Sequence, residues 1–107
     1  MTIRFRIEYR TSWGEEIVLA LGDKRIAMSY GEGGIWTAEV RTRTPEKIID
    51  APYHYEVRVG GNLLRREWKN RSISGQTGLT AENLPARLEL ADAWTDVPAN
   101  APFHKSA

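Results

Sequence analysis

Ile3, Phe5, Ile7 and Tyr9 alternate with Arg4, Arg6, Glu8 and Arg10 at the start of the chain. Successive side chains of a strand point to opposite faces, so this period of two predicts a first strand with one dry and one wet face. Beyond a polar turn at Trp13 and Gly14, the run from Ile17 to Leu21 is apolar on both faces, which predicts a central strand ending at Gly22 and Asp23. "RIAMSY" reads as one short third strand, and "GEGG" as a flexible turn. In "IWTAEVRT" the alternation returns, with Trp36, Ala38 and Val40 on one side and Thr37, Glu39 and Arg41 on the other. Pro45 marks a loop. "APYHYEVRV" then sets Tyr53, Tyr55, Val57 and Val59 against His54, Glu56 and Arg58. The glycines of "GGN" suit a tight turn, because positive φ costs glycine little, and "LLRREW" returns as the second arm of a hairpin.

From Lys69 to Pro85 the sequence is polar and irregular, with room for one helical turn at "TAENL". "ARLELADAW" alternates again and supplies a closing strand, and after Trp94 the two prolines of "TDVPANAPFHKSA" interrupt an aperiodic stretch. The expected organisation is one domain over residues 1–94, followed by a linker or the start of another module over 95–107. Strands recur every 8 to 15 residues with no sustained helical period. The expected fold is all-β, an antiparallel β-sandwich of about seven strands.

A length of 107 residues suits one domain with a real core. Fifteen basic and 14 acidic residues give a net charge of +1, so no global field points to nucleic acid or to an anionic membrane surface. The absence of cysteine excludes disulfides and thiolate chemistry. No apolar run has the length of a signal peptide or of a membrane helix, so the chain is expected to be soluble and, by default, cytoplasmic.

Candidates for catalysis are few. His54 falls on the polar face of a strand and His104 in the tail, without the spacing of a metal site. Glu15 and Glu16 are adjacent on a strand and face opposite ways, which makes them a poor acid/base pair and points to solvated carboxylates. "GEGGIW" lacks the lysine and the strand-to-helix context of a phosphate loop. Neither a catalytic group nor a cofactor is expected.

The four tryptophans are more informative. Trp36 lies on the apolar side of its strand and belongs to the core, and Trp94 suits packing over a core edge. Trp13 in "TSWGEE" and Trp68 in "RREWKNR" sit in polar company at strand ends. An indole left partly exposed there is a stacking platform for the apolar face of a sugar ring, and neighbouring polar side chains can bond its hydroxyls. The alternative is a tryptophan that merely covers a sheet edge.

The motifs "TSWGEEIVLALGD", "GIWTAEV", "YHYEVRV" and "REWKNR", in this order and spacing, resemble the starch-binding domains of carbohydrate-binding module family 20 across roughly residues 3 to 91. The resemblance implies an immunoglobulin-like β-sandwich that binds α-1,4-glucans without cleaving them, through two aromatic surface sites. Carried over, Trp13 and Tyr30 match the aromatics of the second site. Trp68 matches the tryptophan of the first, and Asn70 with Arg71 match the Asn-Arg after it, Asn70 being the residue that would bond glucose hydroxyls. Two departures bear on the first site. The segment after Gly22 is too short for the Leu-Gly-x-Trp that supplies its other platform, and Glu56 stands where a sugar-binding lysine is expected. "LADAWTDVPANAPFHKSA" resembles the join after the first such module in disproportionating 4-α-glucanotransferases with two modules and an amylomaltase-type catalytic domain. The expected partner is thus an α-glucan polymer or maltooligosaccharide, met by a tethered module. The competing expectation is a spacer or protein-interaction sandwich whose sugar site has decayed.

Overall fold

In the computed structural model, which describes residues 1–95, the alternating segments become eight strands in two four-stranded sheets. β1 (Thr2–Glu8), β4 (Ser29–Tyr30), β5 (Ile35–Arg41) and β8 (Arg87–Ala93) form one sheet in the order β4-β5-β1-β8. β2 (Glu15–Leu21), β3 (Lys24–Ala27), β6 (Tyr53–Val59) and β7 (Asn62–Arg66) form the other in the order β3-β2-β6-β7. The β-sandwich expected from the alternation is present. Its pairs are antiparallel except β1 with β8, which run parallel.

The dry faces of the strands meet between the sheets. Ile3, Phe5 and Ile7 of β1 oppose Ile17 and Leu19 of β2 and Tyr53, Tyr55 and Val57 of β6, and all are fully buried. Trp36 of β5, expected in the core, is there. Trp94 packs on the core edge with its ring 4.7 Å from that of Tyr9. Val18 and Ala20, on the outer face of β2, are buried as well. A charged cluster on that face accounts for it: Glu56, only 2 % exposed, lies 3.4 Å from Arg25 and 2.8 Å from both His54 and Arg58. Burial alone would raise the Glu56 carboxyl, but hydrogen bonds from His54 and Arg58 and the nearby arginine charges outweigh it and hold the group below its ordinary value.

Three expectations are revised. "RIAMSY" is two strands in different sheets, because Met28 turns into the core between β3 and β4 and its N–H bonds to Ile17. The helical turn falls at α1 (Ile73–Thr77), where Ser72 caps the N-terminus and Gly78, at φ 74°, ends it. "TAENL" is instead a turn closed by Asn83, whose side chain accepts from the Thr80 N–H. Ile73 is fully buried, and filling the core stabilises a helix too short to persist alone. Glu15, expected to be solvated, has a structural task described below.

A polar network unforeseen in the sequence joins the hairpin, α1 and β8. Glu67 is fully buried, accepts from the Tyr55 backbone N–H, from the Thr95 N–H and hydroxyl, and pairs with Arg71 at 2.9 Å. Arg71 reaches Asp92 at 3.4 Å, and Asp92 accepts from the Tyr53 and Tyr55 hydroxyls at 2.9 and 2.7 Å and from Gln76 at 2.7 Å. Burial and the adjacent Asp92 carboxylate push both phenols well above their ordinary range, so they stay protonated: both donate to Asp92, and the Tyr53 hydroxyl also accepts from Gln76 at 3.3 Å. Thr95, placed by sequence at the start of a linker, is tied into this network, and the remainder of that linker and His104 lie outside the described residues.

Candidate functional site

Residues 9–14 carry the chain from β1 in one sheet to β2 in the other, at one end of the sandwich. The crossing closes as a β-turn over Ser12–Glu15: the Glu15 N–H bonds to the Ser12 carbonyl at 3.0 Å, and Gly14 has φ 86°. Among the described residues only glycines have positive φ, so Trp13 does not, and positive φ at the third position alone identifies a type II turn with Trp13 at its second position. Glu15 secures the turn from its other side, because its Oε1 accepts from the Ser12 N–H at 2.7 Å while its Oε2 lies 3.8 Å from Arg65. Arg65 in turn donates to the Tyr9 hydroxyl. The result is a pinned backbone presenting an indole that is wholly exposed, at 101 % of its reference area.

Tyr30 is the last residue of β4, at the start of the neighbouring loop, and is 62 % exposed. Its ring meets the buried Trp36 edge-on, with centroids 5.1 Å apart and planes at 65°, so the phenol rests on the core. The two loops are bound together: the Tyr9 N–H bonds to the Gly34 carbonyl at 2.9 Å, and Arg10 and Thr11 share with Tyr30, Gly33 and Gly34 the walls of a groove of about 330 Å³. Gly33 and Gly34, at φ 71° and 78°, let the short 3-10 turn Glu32–Gly34 fold this close to β1. The fold therefore brings Tyr30, at the end of β4, and the β1–β2 crossing that carries Trp13 to one end of the sandwich.

Trp68 and Asn70 belong elsewhere. The Trp13 turn leads into Glu15, paired with Val59, whereas Glu67 bonds to Tyr55, four residues further down β6, immediately before Trp68. That separates the two exit points by about 13 Å along the sheet. Trp68 is 43 % exposed, and its backbone N–H is held by the Thr95 carbonyl at 2.7 Å. Asn70 is exposed and accepts from Arg66 at 2.7 Å through Oδ1. Arg71, matched by resemblance to the same site, is committed to Glu67 and Asp92. No second platform faces Trp68 from the β2–β3 connection, which is a two-residue turn at Gly22 and Asp23 joining Leu21 directly to Lys24. Glu56, at the position of the expected lysine, is enclosed by Arg25, His54 and Arg58.

Among the described residues, no three His, Cys, Asp or Glu side chains are grouped to hold a metal ion, and no helix is long and apolar enough to cross a membrane. What the Trp13 and Tyr30 end offers is two exposed aromatic faces with polar groups around them, an arrangement suited to stacking and hydrogen bonding.

The sequence matches no family model and no curated protein. The fold has a counterpart in the solved structure of Hormoconis resinae glucoamylase, with a TM-score of 0.63 and 22 % identity over 94 % of this chain. The chain spans only 18 % of that glucoamylase chain, and likeness at this identity establishes a shared fold.

Proposed function

We propose that this chain is a non-catalytic module that binds α-1,4-glucans, stacking successive glucose rings on Trp13 and Tyr30. One observation carries the reading: a wholly exposed indole on a turn locked by Gly14 and Glu15, in a crossing whose Arg10 and Thr11 share a groove with a second exposed ring braced on the core. Large apolar rings at full exposure are costly to keep in water, and rigid ones lose little conformational entropy when a ligand covers them. The resemblance of the sequence motifs to starch-binding domains and the fold shared with part of a glucoamylase support a glucan as the ligand. Trp68 and Asn70 form at most an auxiliary contact, since the partners a first site would need are missing at Gly22 and at Glu56.

Such a module works by tethering. Each platform supplies a modest affinity, and linkage to further modules raises the local concentration of polymer. A 4-α-glucanotransferase with a tandem pair of modules is the parent protein that fits the sequence of the tail. Calorimetric titration with maltoheptaose and with soluble starch tests the reading: saturable binding without release of sugar supports it. Failure to bind any α-glucan overturns it in favour of a spacer sandwich.

A further inference from the structure

Tyr30 also lines a second depression, on the side away from Arg10 and Thr11. This groove of about 470 Å³ runs onto the outer face of the β4-β5-β1-β8 sheet and is bounded by Arg4, Arg6, Glu32, Thr37 and Glu89. Its volume is in the range of about 300–1,000 Å³ typical of small-molecule sites. Register explains why it is there. Arg6 stands opposite Thr37 on β5 and Ala91 on β8, two small neighbours that leave space on either side of a long side chain.

The polar groups around this space are uncommitted. Arg4 faces Glu39 and Glu89 across the sheet, yet Glu39 pairs with Arg41 at 3.2 Å. Among the described residues, Arg4, Arg6, Glu32 and Glu89 take part in no ion pair, and the Thr37 hydroxyl has no hydrogen-bond partner. Exposed strand charges are ordinary on their own. Here they surround a concavity that shares a wall with an aromatic platform. Guanidinium groups only donate and carboxylates only accept, whereas sugar hydroxyls do both. A wall of both signs thus suits a neutral polyol, and an anion entering it would meet Glu32 and Glu89.

We propose that the groove between Tyr30 and Arg6 is an extension subsite, taking the glucose units that continue past Tyr30, with Arg6 donating to their hydroxyls. It rests on the glucan-binding reading and adds a length dependence to it. The test compares maltotriose with maltoheptaose by calorimetry, on the unaltered 107-residue chain and on Arg6→Ala. Two lost charge-assisted hydrogen bonds should weaken maltoheptaose binding about tenfold while maltotriose binding stays within about twofold. Equal losses for both lengths, or none for either, overturn the subsite while leaving the parent reading intact. Absence of binding by the unaltered chain overturns both. An NMR titration that follows the Arg6 side-chain Nε–H of the unaltered chain decides independently of the variant: a saturable shift with maltoheptaose and none with maltotriose is expected, and no shift with either rejects the subsite.

Discussion

Replacing Trp13 by alanine isolates the platform from the fold more cleanly than any other change in the molecule. The indole is wholly exposed on a turn whose geometry depends on Gly14 and Glu15, so its removal leaves the turn and the core in place. Surface substitutions of this kind shift stability by at most about 0.5 kcal/mol, which for a domain of this size moves Tm by no more than about 3 °C. Binding should respond far more. A glucose ring covering one indole face removes on the order of 80 Å² from water, worth about 2 kcal/mol at roughly 25 cal/mol per Å². That converts to about a thirtyfold rise in Kd for maltoheptaose, since about 1.4 kcal/mol is a factor of ten. Isothermal calorimetry is the right assay, because the substitution also removes a fluorophore. A change of less than threefold, with Tm unaltered, would refute the platform role.

Other consequences can be checked alongside. Gly14→Ala forces a side chain into φ 86° and should cost about 1 kcal/mol of stability while also lowering glucan affinity, by displacing an indole it does not touch; unchanged affinity would show that the turn does not position Trp13. Trp68→Ala should raise Kd less than threefold, and a loss equal to that of Trp13→Ala would relocate the main site. Arg71→Ala strands the buried Glu67 carboxylate and should destabilise by about 3–5 kcal/mol in urea unfolding, and a loss below about 1 kcal/mol would contradict the network. Glu56 is held below its ordinary value of 4.5, so its contribution is present above that value and is lost as pH falls through the depressed folded one. Glu56→Gln should therefore be less stable than the unaltered chain at pH 7, with the gap closing below about pH 4.5. A gap that widens toward acid would reverse the assignment.

Apart from the division of "RIAMSY" between β3 and β4, the strands were legible because each carries its own signal. Ile3, Phe5 and Ile7 state a period of two, and the doubly apolar run from Ile17 to Leu21 marks the centre of a sheet. Trp13 and Gly14 also declared themselves locally, since a type II turn needs only four residues and one glycine. What escaped reading depends on partners distant in sequence. Nothing in "REWKNR" says that Glu67 is buried and Arg71 spoken for, because the groups that satisfy them come from Tyr55, Asp92 and Thr95. The parallel pairing of β8 with β1 joins the two extremes of the described chain, and no local pattern encodes it. The helix at Ile73 follows from one core vacancy filled by one isoleucine, beneath the reach of any periodicity. The alternation put His54, Glu56 and Arg58 on one strand face, but the cluster they form, completed by Arg25 of β3, was not read from it.

Tyr30 shows the limit for the site. Its exposure and its place beside Arg10, Thr11 and Gly34 depend on the loop packing against β1, which sequence alone signals only through a run of glycines.

The central claim is that an α-glucan lies across Trp13 and Tyr30, and the indole N–H resonances report on it directly. In a proton–nitrogen NMR titration of the unaltered chain with maltoheptaose, the Trp13 indole signal should shift saturably together with the backbone signals of Tyr30 and Gly31, while Trp94 stays in place. Shifts confined to Trp68 and Asn70, or no saturable shift at any tryptophan, would contradict the account.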